Sequence, residues 1–330
     1  MTEILLTPDE KRYVLYPIQH MDIWRLYKKH EASFWTSETI KFDHDLKDWA
    51  KLNADEQKFI KYVLAFFAAS DGIISENIAQ RFMNEVQVLE ARIFYGFQIA
   101  MENIHSETYS MMIDLFVKDS TEKEFILNGI NNIKSIKRKA DFCKKWQDPS
   151  RPFGERLVAF AGVEGISFSS SFCAIFWLKK LGLLPGLCIS NEYISSDEAI
   201  HFDMGCLLVS KLKDKPSVET IKEIFSELVE IEMDFVEECL QKGLKGMNAD
   251  MMKQYVKFVT DQCLEQLANC KMYNVSNPFD WMEMISLKKH VNIHERENTN
   301  YMKPAVGIKT SSENLTFPNV KIMLEEETDF

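Results

Sequence analysis

Acidic side chains stand inside segments that are otherwise apolar enough to form buried helices, and this feature constrains the fold most. Asp71 interrupts the run from Tyr62 to Ile74, and Glu164 lies within residues 157–178, a stretch of 22 residues without Lys or Arg. A buried carboxylate without a partner is costly, so each acid needs a buried Lys or Arg or a metal ion. For either acid alone, the two explanations are equally favoured.

Two Glu-x-x-His units add imidazoles to this pattern, because Glu102 precedes His105 and Glu198 precedes His201 by three residues. Residues three apart lie on one face of a helix, so each unit can direct a carboxylate and an imidazole at one point. With 50 acidic residues and seven histidines, about one such pair is expected by chance. Both units nevertheless lie in segments predicted to face the core. Together with the two isolated acids, they predict a metal site.

Helical periodicity dominates the chain, and we find no convincing strand pattern and no repeat of fixed period. We therefore predict an all-α protein, with Gly182 and Pro185 as stop signals for the fourth long helix. The predicted helices cover approximately residues 53–85, 90–116, 121–146, 154–181 and 190–211, followed by two amphipathic helices after Pro216 and Met247.

Four acid-bearing helices, two of them with Glu-x-x-His, match the arrangement of ferritin-like dinuclear carboxylate proteins. Oxygen-rich ligation with two imidazoles suits iron or manganese, whereas structural zinc sites favour thiolates. Tyr109 follows His105 by four residues, which places its phenol one turn further along the same face. A buried tyrosine is ordinarily a core residue, but beside an oxygen-activating metal pair it can be oxidised to a radical.

The composition argues against several other classes of protein. Only 12 Gly and 9 Pro are present, and no phosphate-cradling glycine motif occurs. A formal net charge of −11 disfavours nucleic acid and membrane surfaces as partners. Residues 157–178 are long enough to span a bilayer, but Glu164 near the middle favours a buried core helix. Seven scattered cysteines and the absence of a leader pattern favour reduced thiols and a cytoplasmic location.

Periodicity is lost near residue 290, where Asn, Thr and Ser increase and Pro304 and Pro318 appear. We predict a helical domain over residues 1–290 and a mobile tail over residues 291–330. Leu324 and Phe330 flank an acidic run at the end of the chain. Such a segment is either a solvated acidic end or a short recognition motif with apolar anchors.

Specific segments carry a resemblance to a known family. They are Glu31-Ala-Ser-Phe-Trp35, Ala69-Ser-Asp-Gly72, Glu102-x-x-His105-x-x-x-Tyr109, Val163-Glu-Gly-Ile166 and Ser190-Asn-Glu-x-Ile-Ser-x-Asp-Glu-x-x-His201. The chain resembles the small, radical-generating subunit of class I ribonucleotide reductase, of the eukaryotic or viral type, over nearly its whole length.

The resemblance implies a role for each of these residues. Two iron ions, or manganese in their place, would be bound by two sets of ligands: Asp71, Glu102 and His105 for one ion, and Glu164, Glu198 and His201 for the other. Tyr109 would hold the stable radical, and an apolar pocket would protect it, lined by Phe168, Phe172 and Ile194. A path for an electron and a proton would begin at Trp35, which Asp197 would bridge to His105, and would continue through Tyr301 in the tail.

The resemblance also implies a homodimer that docks on a separate large subunit through Leu324 and Phe330. There the radical would serve the reduction of ribonucleoside diphosphates to deoxyribonucleoside diphosphates. The tail differs from the eukaryotic pattern, which has Phe at the position of Leu324 and an apolar residue at that of Glu326.

Three alternatives remain open at this stage. An iron-storage or ferroxidase protein of the same fold would share the ligands but would not need Tyr109 or the tail. An oxygenase would act on a small substrate without a large subunit. A metal-free helical interaction protein would purify without metal ions.

Overall fold

A computed structural model describes residues 3–9 and 13–282 of the chain. Within these ranges the protein is built from α-helices, two 3₁₀ helices (Ile4–Leu6 and Ser37–Thr39), two π turns and loops, with one isolated bridge between Leu244 and Met247 and no strand. The helices are α1 (Met21–Ala32), α2 (Asp45–Trp49), α3 (Ala54–Asn77), α4 (Met83–Glu85), α5 (Leu89–Phe116), α6 (Ser120–Leu127), α7 (Gly129–Asn132), α8 (Lys134–Trp146), α9 (Phe153–Gly162), α10 (Ser169–Lys180), α11 (Pro185–Lys211), α12 (Val218–Cys239) and α13 (Ala249–Ala268).

Helix α3 begins where the sequence predicts, at a capping box. The Asn53 side chain accepts hydrogen bonds from the backbone N–H groups of Asp55 and Glu56, both at 3.0 Å. The Glu56 carboxylate accepts the Asn53 N–H at 2.9 Å. These bonds satisfy donors that the first turn of a helix cannot pair internally, which explains the sharp start of α3.

The predicted helix over 121–146 was wrong, because the structure divides this segment into α6, α7 and α8. Asn128, a weak helix former, separates α6 from α7, which begins at Gly129, and Ile133 is extended between α7 and α8. A Cβ at Gly129 would lie 3.3 Å from the Ala65 Cβ. The break therefore lets α7 pack closely on α3.

The stop pattern at Gly182 and Pro185 agrees with the end of α10 at Lys180, but Pro185 also starts the next helix, which was not predicted. Helix α11 begins at this proline, earlier than the predicted start near residue 190. Proline fits the first helical position because its missing N–H would have no helical partner there. The Asp45 carboxylate on α2 accepts the next two N–H groups, from Gly186 at 2.9 Å and Leu187 at 2.8 Å. These contacts anchor the start of the helix that carries Glu198 and His201.

Two predicted helices contain a π turn that the sequence pattern did not reveal. Ile78–Phe82 joins α3 to α4, and Val163–Ser167 lies between α9 and α10. The second π turn carries Glu164. Single π turns within α-helices frequently occur at functional sites, which makes this location of Glu164 informative.

The apolar segment around Glu164 is a core helix, as expected. Phe153–Lys180 is long and apolar enough to cross a membrane, but 89% of its most apolar window is buried inside the protein. It contributes to one continuous core in which α3 packs along α5, while α9 contacts both α11 and α12. All seven cysteines lie in the described ranges, and none forms a disulfide.

Candidate metal centre

Four helical elements bring the six predicted ligands to one place inside the core. Helix α3 supplies Asp71, and the π turn supplies Glu164. Helices α5 and α11 each supply a Glu-x-x-His unit, whose members lie on one face because they are three residues apart. All six side chains are buried, with exposed fractions of 0–2%. The structure thus assembles the acids and imidazoles that the sequence analysis selected.

The ligand atoms form two groups that share Glu102. One group contains Asp71, Glu102 and His105, and within each group the candidate atoms lie within 4.8 Å of one another. The His105 Nδ1 atom is 3.4 Å from Glu102 Oε2 and 3.3 Å from Glu198 Oε1. Glu198 therefore also reaches the first group.

The second group contains Glu102, Glu164, Glu198 and His201. The His201 Nδ1 atom is 3.1 Å from both Glu102 Oε1 and Glu198 Oε2, and 3.8 Å from Glu164 Oε2. In both histidines the Nδ1 atom thus faces the carboxylates, while Nε2 points outward.

Unpartnered polar atoms show that these side chains fit metal ions. Most buried polar atoms in proteins have a hydrogen-bond partner. Here one oxygen or nitrogen atom has none in each of five residues: Asp71 Oδ2, Glu102 Oε2, His105 Nδ1, Glu164 Oε2 and Glu198 Oε1. These donor atoms converge without an internal cation, which is the arrangement that a pair of bound cations would satisfy.

The electrostatics of the cluster lead to the same inference. Burial raises the pKa of Asp71 and of Glu164 well above the usual range, and the nearby acids Glu102 and Glu198 add to this effect. Burial alone would lower the pKa of His105 and His201, but the surrounding carboxylates raise both well above the ordinary value. Without metal ions the cluster therefore retains protons that cations would displace.

A hydrogen-bonded chain links the site to Trp35. The indole Nε1–H donates to Asp197 Oδ2 at 2.8 Å, and His105 Nε2–H donates to the same oxygen at 3.1 Å. The Trp35 ring also stacks on the His105 ring, with centroids 5.8 Å apart and planes at 19°. The Trp35 ring also contacts Tyr193, at a centroid distance of 5.5 Å. Asp197 thus accepts hydrogen bonds from both Trp35 and His105, as the predicted bridge requires.

Tyr109 lies in an apolar enclosure close to the acids. Its side chain is 1% exposed, and its hydroxyl has no hydrogen-bond partner among the described residues. Burial, followed by the charge of Asp71, raises the pKa of the phenol well above its usual value. Phe67 stacks on the Tyr109 ring at a centroid distance of 4.4 Å and an angle of 9°.

The aromatic residues predicted to line the Tyr109 pocket form a second layer. The Phe67 ring lies 5.9 Å from that of Phe168 and 5.3 Å from that of Phe172. Ile194 is buried in the same core. Sequence reasoning missed Phe67 itself, although its position one turn before Asp71 on α3 was an available signal.

Two polar residues beside the ligands were also missed. Gln98, one turn before Glu102 on α5, donates from Nε2 to Glu164 Oε1 at 2.9 Å. His30 on α1 is fully buried, and its Nε2 lies 3.3 Å from the outward-facing Nε2 of His201. The sequence around His30 contains no acid-x-x-His spacing that would have selected it.

Some predictions fall outside the described residues. They concern Tyr301 and the anchors Leu324 and Phe330, together with the tail over 291–330 and the domain boundary at residue 290.

A family model described as "Ribonucleotide reductase, small chain" matches residues 12–278. The chain belongs to the ribonucleotide reductase small-chain family. Among curated relatives, the small chain of vaccinia virus (strain Western Reserve) is 52% identical over 312 residues, covering 94% of this chain and 97% of the relative. Subunit M2 of Danio rerio is 52% identical over 316 residues, covering 96% and 81%. A small chain of Arabidopsis thaliana is 51% identical over 326 residues, covering 98% of both proteins.

Solved small-chain structures share the fold. The ribonucleotide reductase Rnr4 homodimer of Saccharomyces cerevisiae matches with a TM-score of 0.77 at 38% identity, covering 89% of this chain and 93% of that one. The dimanganese(II) NrdF of Streptococcus sanguinis matches with a TM-score of 0.73 at 17% identity, covering 83% and 99%. The prediction of an all-α, ferritin-like helical bundle is confirmed.

Proposed function

We propose that this chain is the small subunit of ribonucleoside-diphosphate reductase and that it forms a tyrosyl radical at Tyr109. The observation that carries the proposal is a fully buried phenol with an unpartnered hydroxyl, one helical turn beyond His105 and two turns beyond Glu102. Relatives about 52% identical over most of the chain are named ribonucleoside-diphosphate reductase small chains, which supports the reaction.

The two overlapping groups would each hold one metal ion. Asp71, Glu102 and His105 would bind the first, and Glu164, Glu198 and His201 the second. The donor set of carboxylates and imidazoles, without thiolate, favours iron, and manganese suits the same donors. A bound pair of iron ions would supply oxygen activation and with it the oxidising equivalent for the loss of one electron from Tyr109.

The protein's own residues govern what happens to the Tyr109 proton. A neutral tyrosyl radical forms when the electron and the hydroxyl proton both leave the phenol. The acids whose charge acts on this phenol are the candidate ligands Asp71, Glu198 and Glu102 together with Asp197, so its proton would leave towards the metal-ligand cluster. Phe67, with Phe168 and Phe172 behind it, excludes water and reductants from the ring.

Trp35 and Asp197 would connect the buried site with the surface. The indole N–H already donates to Asp197, so the carboxylate can take the indole proton when Trp35 loses an electron. Asp197 also orients His105 by accepting its Nε2–H, as acids behind metal-bound histidines commonly do. Tyr301 would continue the path towards a cysteine of the large subunit.

The partners follow from the same proposal. Leu324 and Phe330 would anchor the tail on the large subunit, where ribonucleoside diphosphates are reduced to deoxyribonucleoside diphosphates. The yeast relative is a homodimer, and we propose a homodimer here. Seven free thiols support a reducing compartment such as the cytoplasm.

An electron paramagnetic resonance experiment tests the proposal. Ferrous iron and oxygen are added to metal-free full-length protein, to Tyr109→Phe and to Tyr95→Phe. Tyr95 is a matched control, because it is also about 1% exposed with an unpartnered hydroxyl. We expect a tyrosyl signal in the wild type and in Tyr95→Phe and none in Tyr109→Phe, whose reductase activity with the large subunit should be lost.

Other outcomes would redirect the assignment. Iron uptake without a radical in any of the three proteins would contradict the role of Tyr109 and favour a ferroxidase or an oxygenase. A radical that disappears only in Tyr95→Phe would assign it to Tyr95 instead of Tyr109.

A further inference from the structure

His30 lies against the outer side of the candidate metal centre, where none of the roles described so far uses it. Its ring is fully buried, and its Nε2 is 3.3 Å from His201 Nε2. Phe94 and Phe97 pack on the ring, with centroid distances of 5.4 and 4.8 Å. This packing fixes the position of the imidazole beside His201.

The placement of protons on the two rings follows from the direction in which His201 faces. Its Nδ1 atom lies among Glu102, Glu164 and Glu198, so a metal ion there requires Nδ1 without a proton. The His201 proton must then reside on Nε2. The Nε2 of His30 is therefore the hydrogen-bond acceptor, and the proton of this neutral ring lies on Nδ1.

The second candidate histidine ligand, His105, is arranged in the same way but donates to a different hydrogen-bond acceptor. His105 also directs Nδ1 at the carboxylates and donates its Nε2–H to Asp197. His30 Nε2 lies 3.8 Å from Asp197 Oδ1, a separation too long for a direct hydrogen bond. Each candidate histidine ligand thus has its own outer acceptor, a carboxylate for His105 and a neutral imidazole for His201.

We propose that His30 is a positioning residue that accepts the Nε2–H of His201 and so fixes the tautomer and orientation of this ligand. The inference rests on the proposed function only in assuming that metal ions bind. A charged acceptor forms the stronger hydrogen bond and makes the imidazole a better donor to a metal ion. The affinity for the ion held by His201 therefore depends on His30.

Manganese binding to the metal-free, full-length protein tests this inference without measuring enzyme activity. Free aqueous Mn²⁺ gives an electron paramagnetic resonance signal that bound Mn²⁺ does not share, so a titration counts sites and gives affinities. His30→Leu keeps an apolar side chain of similar size but removes the acceptor. His30→Gln retains an acceptor oxygen. His44→Leu is the matched control, because His44 is exposed and belongs to the start of α2.

We expect two Mn²⁺ ions per chain in the wild type, in His30→Gln and in His44→Leu. In His30→Leu one of the two sites should bind roughly 10- to 100-fold more weakly, which is the usual effect of removing an outer partner of a metal-bound histidine. Rescue by glutamine distinguishes a hydrogen-bonding role from packing alone. A cooperative thermal transition of each metal-free variant verifies folding.

Two results would overturn the inference. Two sites of unchanged affinity in His30→Leu would show that His201 does not need the acceptor. A weakened site in His30→Gln would show that acceptance is not the role of His30, and this arm decides the matter even if the leucine variant does not fold. A wild-type protein that binds no Mn²⁺ would instead count against the proposed metal centre itself.

Discussion

Two clusters of buried acid in the same helical core are stabilised in different ways. Glu232 on α12 is fully buried, forms an ion pair with Lys139 on α8 and accepts a hydrogen bond from the Ser170 hydroxyl. Lys139 is in turn held by the Ser167 carbonyl, to which it donates at 2.8 Å, and its ammonium lies 3.5 Å from the centre of the Phe66 ring. This acid is neutralised by a cation of the chain itself.

The four carboxylates of the candidate metal centre are equally buried but have no such partner. Within residues 13–282, neither Lys nor Arg forms an ion pair with any of them, and one oxygen of each is unpartnered. A buried acid in an apolar helix does not by itself indicate a metal site, since this core contains both an acid paired with a lysine and acids without such a partner. The absence of a Lys or Arg partner among the described residues, rather than burial, distinguishes a site for an external cation from an internal ion pair.

The largest expected difference between the candidate metal centre and the Glu232 cluster is in metal affinity. Glu102 belongs to both ligand groups, so Glu102→Ala should weaken both sites by more than the roughly 10- to 100-fold typical of an outer partner. Glu232→Gln is the matched control in the other cluster and should retain two metal ions per chain. Metal analysis after dialysis against Mn²⁺ measures both. Equal metal loss in the two variants would abolish the distinction between the clusters.

The opposite contrast between the two clusters is expected in the free energy of unfolding. Lys139→Met leaves the Glu232 carboxylate buried without its cation, which should cost about 3–5 kcal/mol. Lys137→Met, in the same helix, breaks an ion pair with Asp141 in which both side chains are more than half exposed. Its cost should be below about 0.5 kcal/mol. Denaturant unfolding of the metal-free proteins measures the difference, and equal stabilities would mean that Glu232 does not depend on an internal cation.

The smallest expected effect is a dependence of metal stabilisation on pH. The pKa values of Asp71, Glu164, His105 and His201 are raised in the metal-free protein, while that of Glu198 is lowered by the two histidines despite its burial. A group whose folded pKa is raised stabilises the folded state at low pH and loses that contribution as pH rises towards the folded pKa. Bound metal ions replace these protons, so the stabilisation by metal should increase with pH.

The size of this pH effect follows from proton release. For each proton released on binding, the stabilisation should grow by about 1.4 kcal/mol per pH unit. Thermal unfolding with Mn²⁺ and with a chelator, compared at pH 6, 7 and 8, measures the increment. In Glu232→Gln the increment should be unchanged, because Glu232 is not part of the site. A stabilisation independent of pH would contradict the assignment of these protons.

The sequence was sufficient to predict those elements in which apolar residues recur with helical periodicity and acids and histidines have a regular spacing. The bounds of α5 and the start of α3 were predicted closely, and the six ligands were selected because acids and histidines three residues apart interrupt apolar helices. The assembly of those ligands required only that the four helices pack on one another. The fold class followed from the same pattern.

Other features depend on contacts between distant residues, which periodicity does not contain. His30 is on α1 and contacts His201, 171 positions later in the chain. The π turns and the division of residues 121–146 arise where local propensity is weak and packing decides. The partnership of Lys139 with Glu232 was missed for the same reason.

The π turn at Val163–Ser167 also sets the phase of the helix that contains it. An i→i+5 turn contains one residue more than an α-turn, so it rotates the following segment by roughly 100° relative to a continuous α-helix. The sequence positions that face the core therefore do not continue in one helical phase from α9 to α10, although only this turn and Phe168 separate the two helices. The segment resembles a membrane span because it is long and apolar in composition, which does not depend on this change of register. Glu164 lies within the π turn, at the point where the helical phase changes.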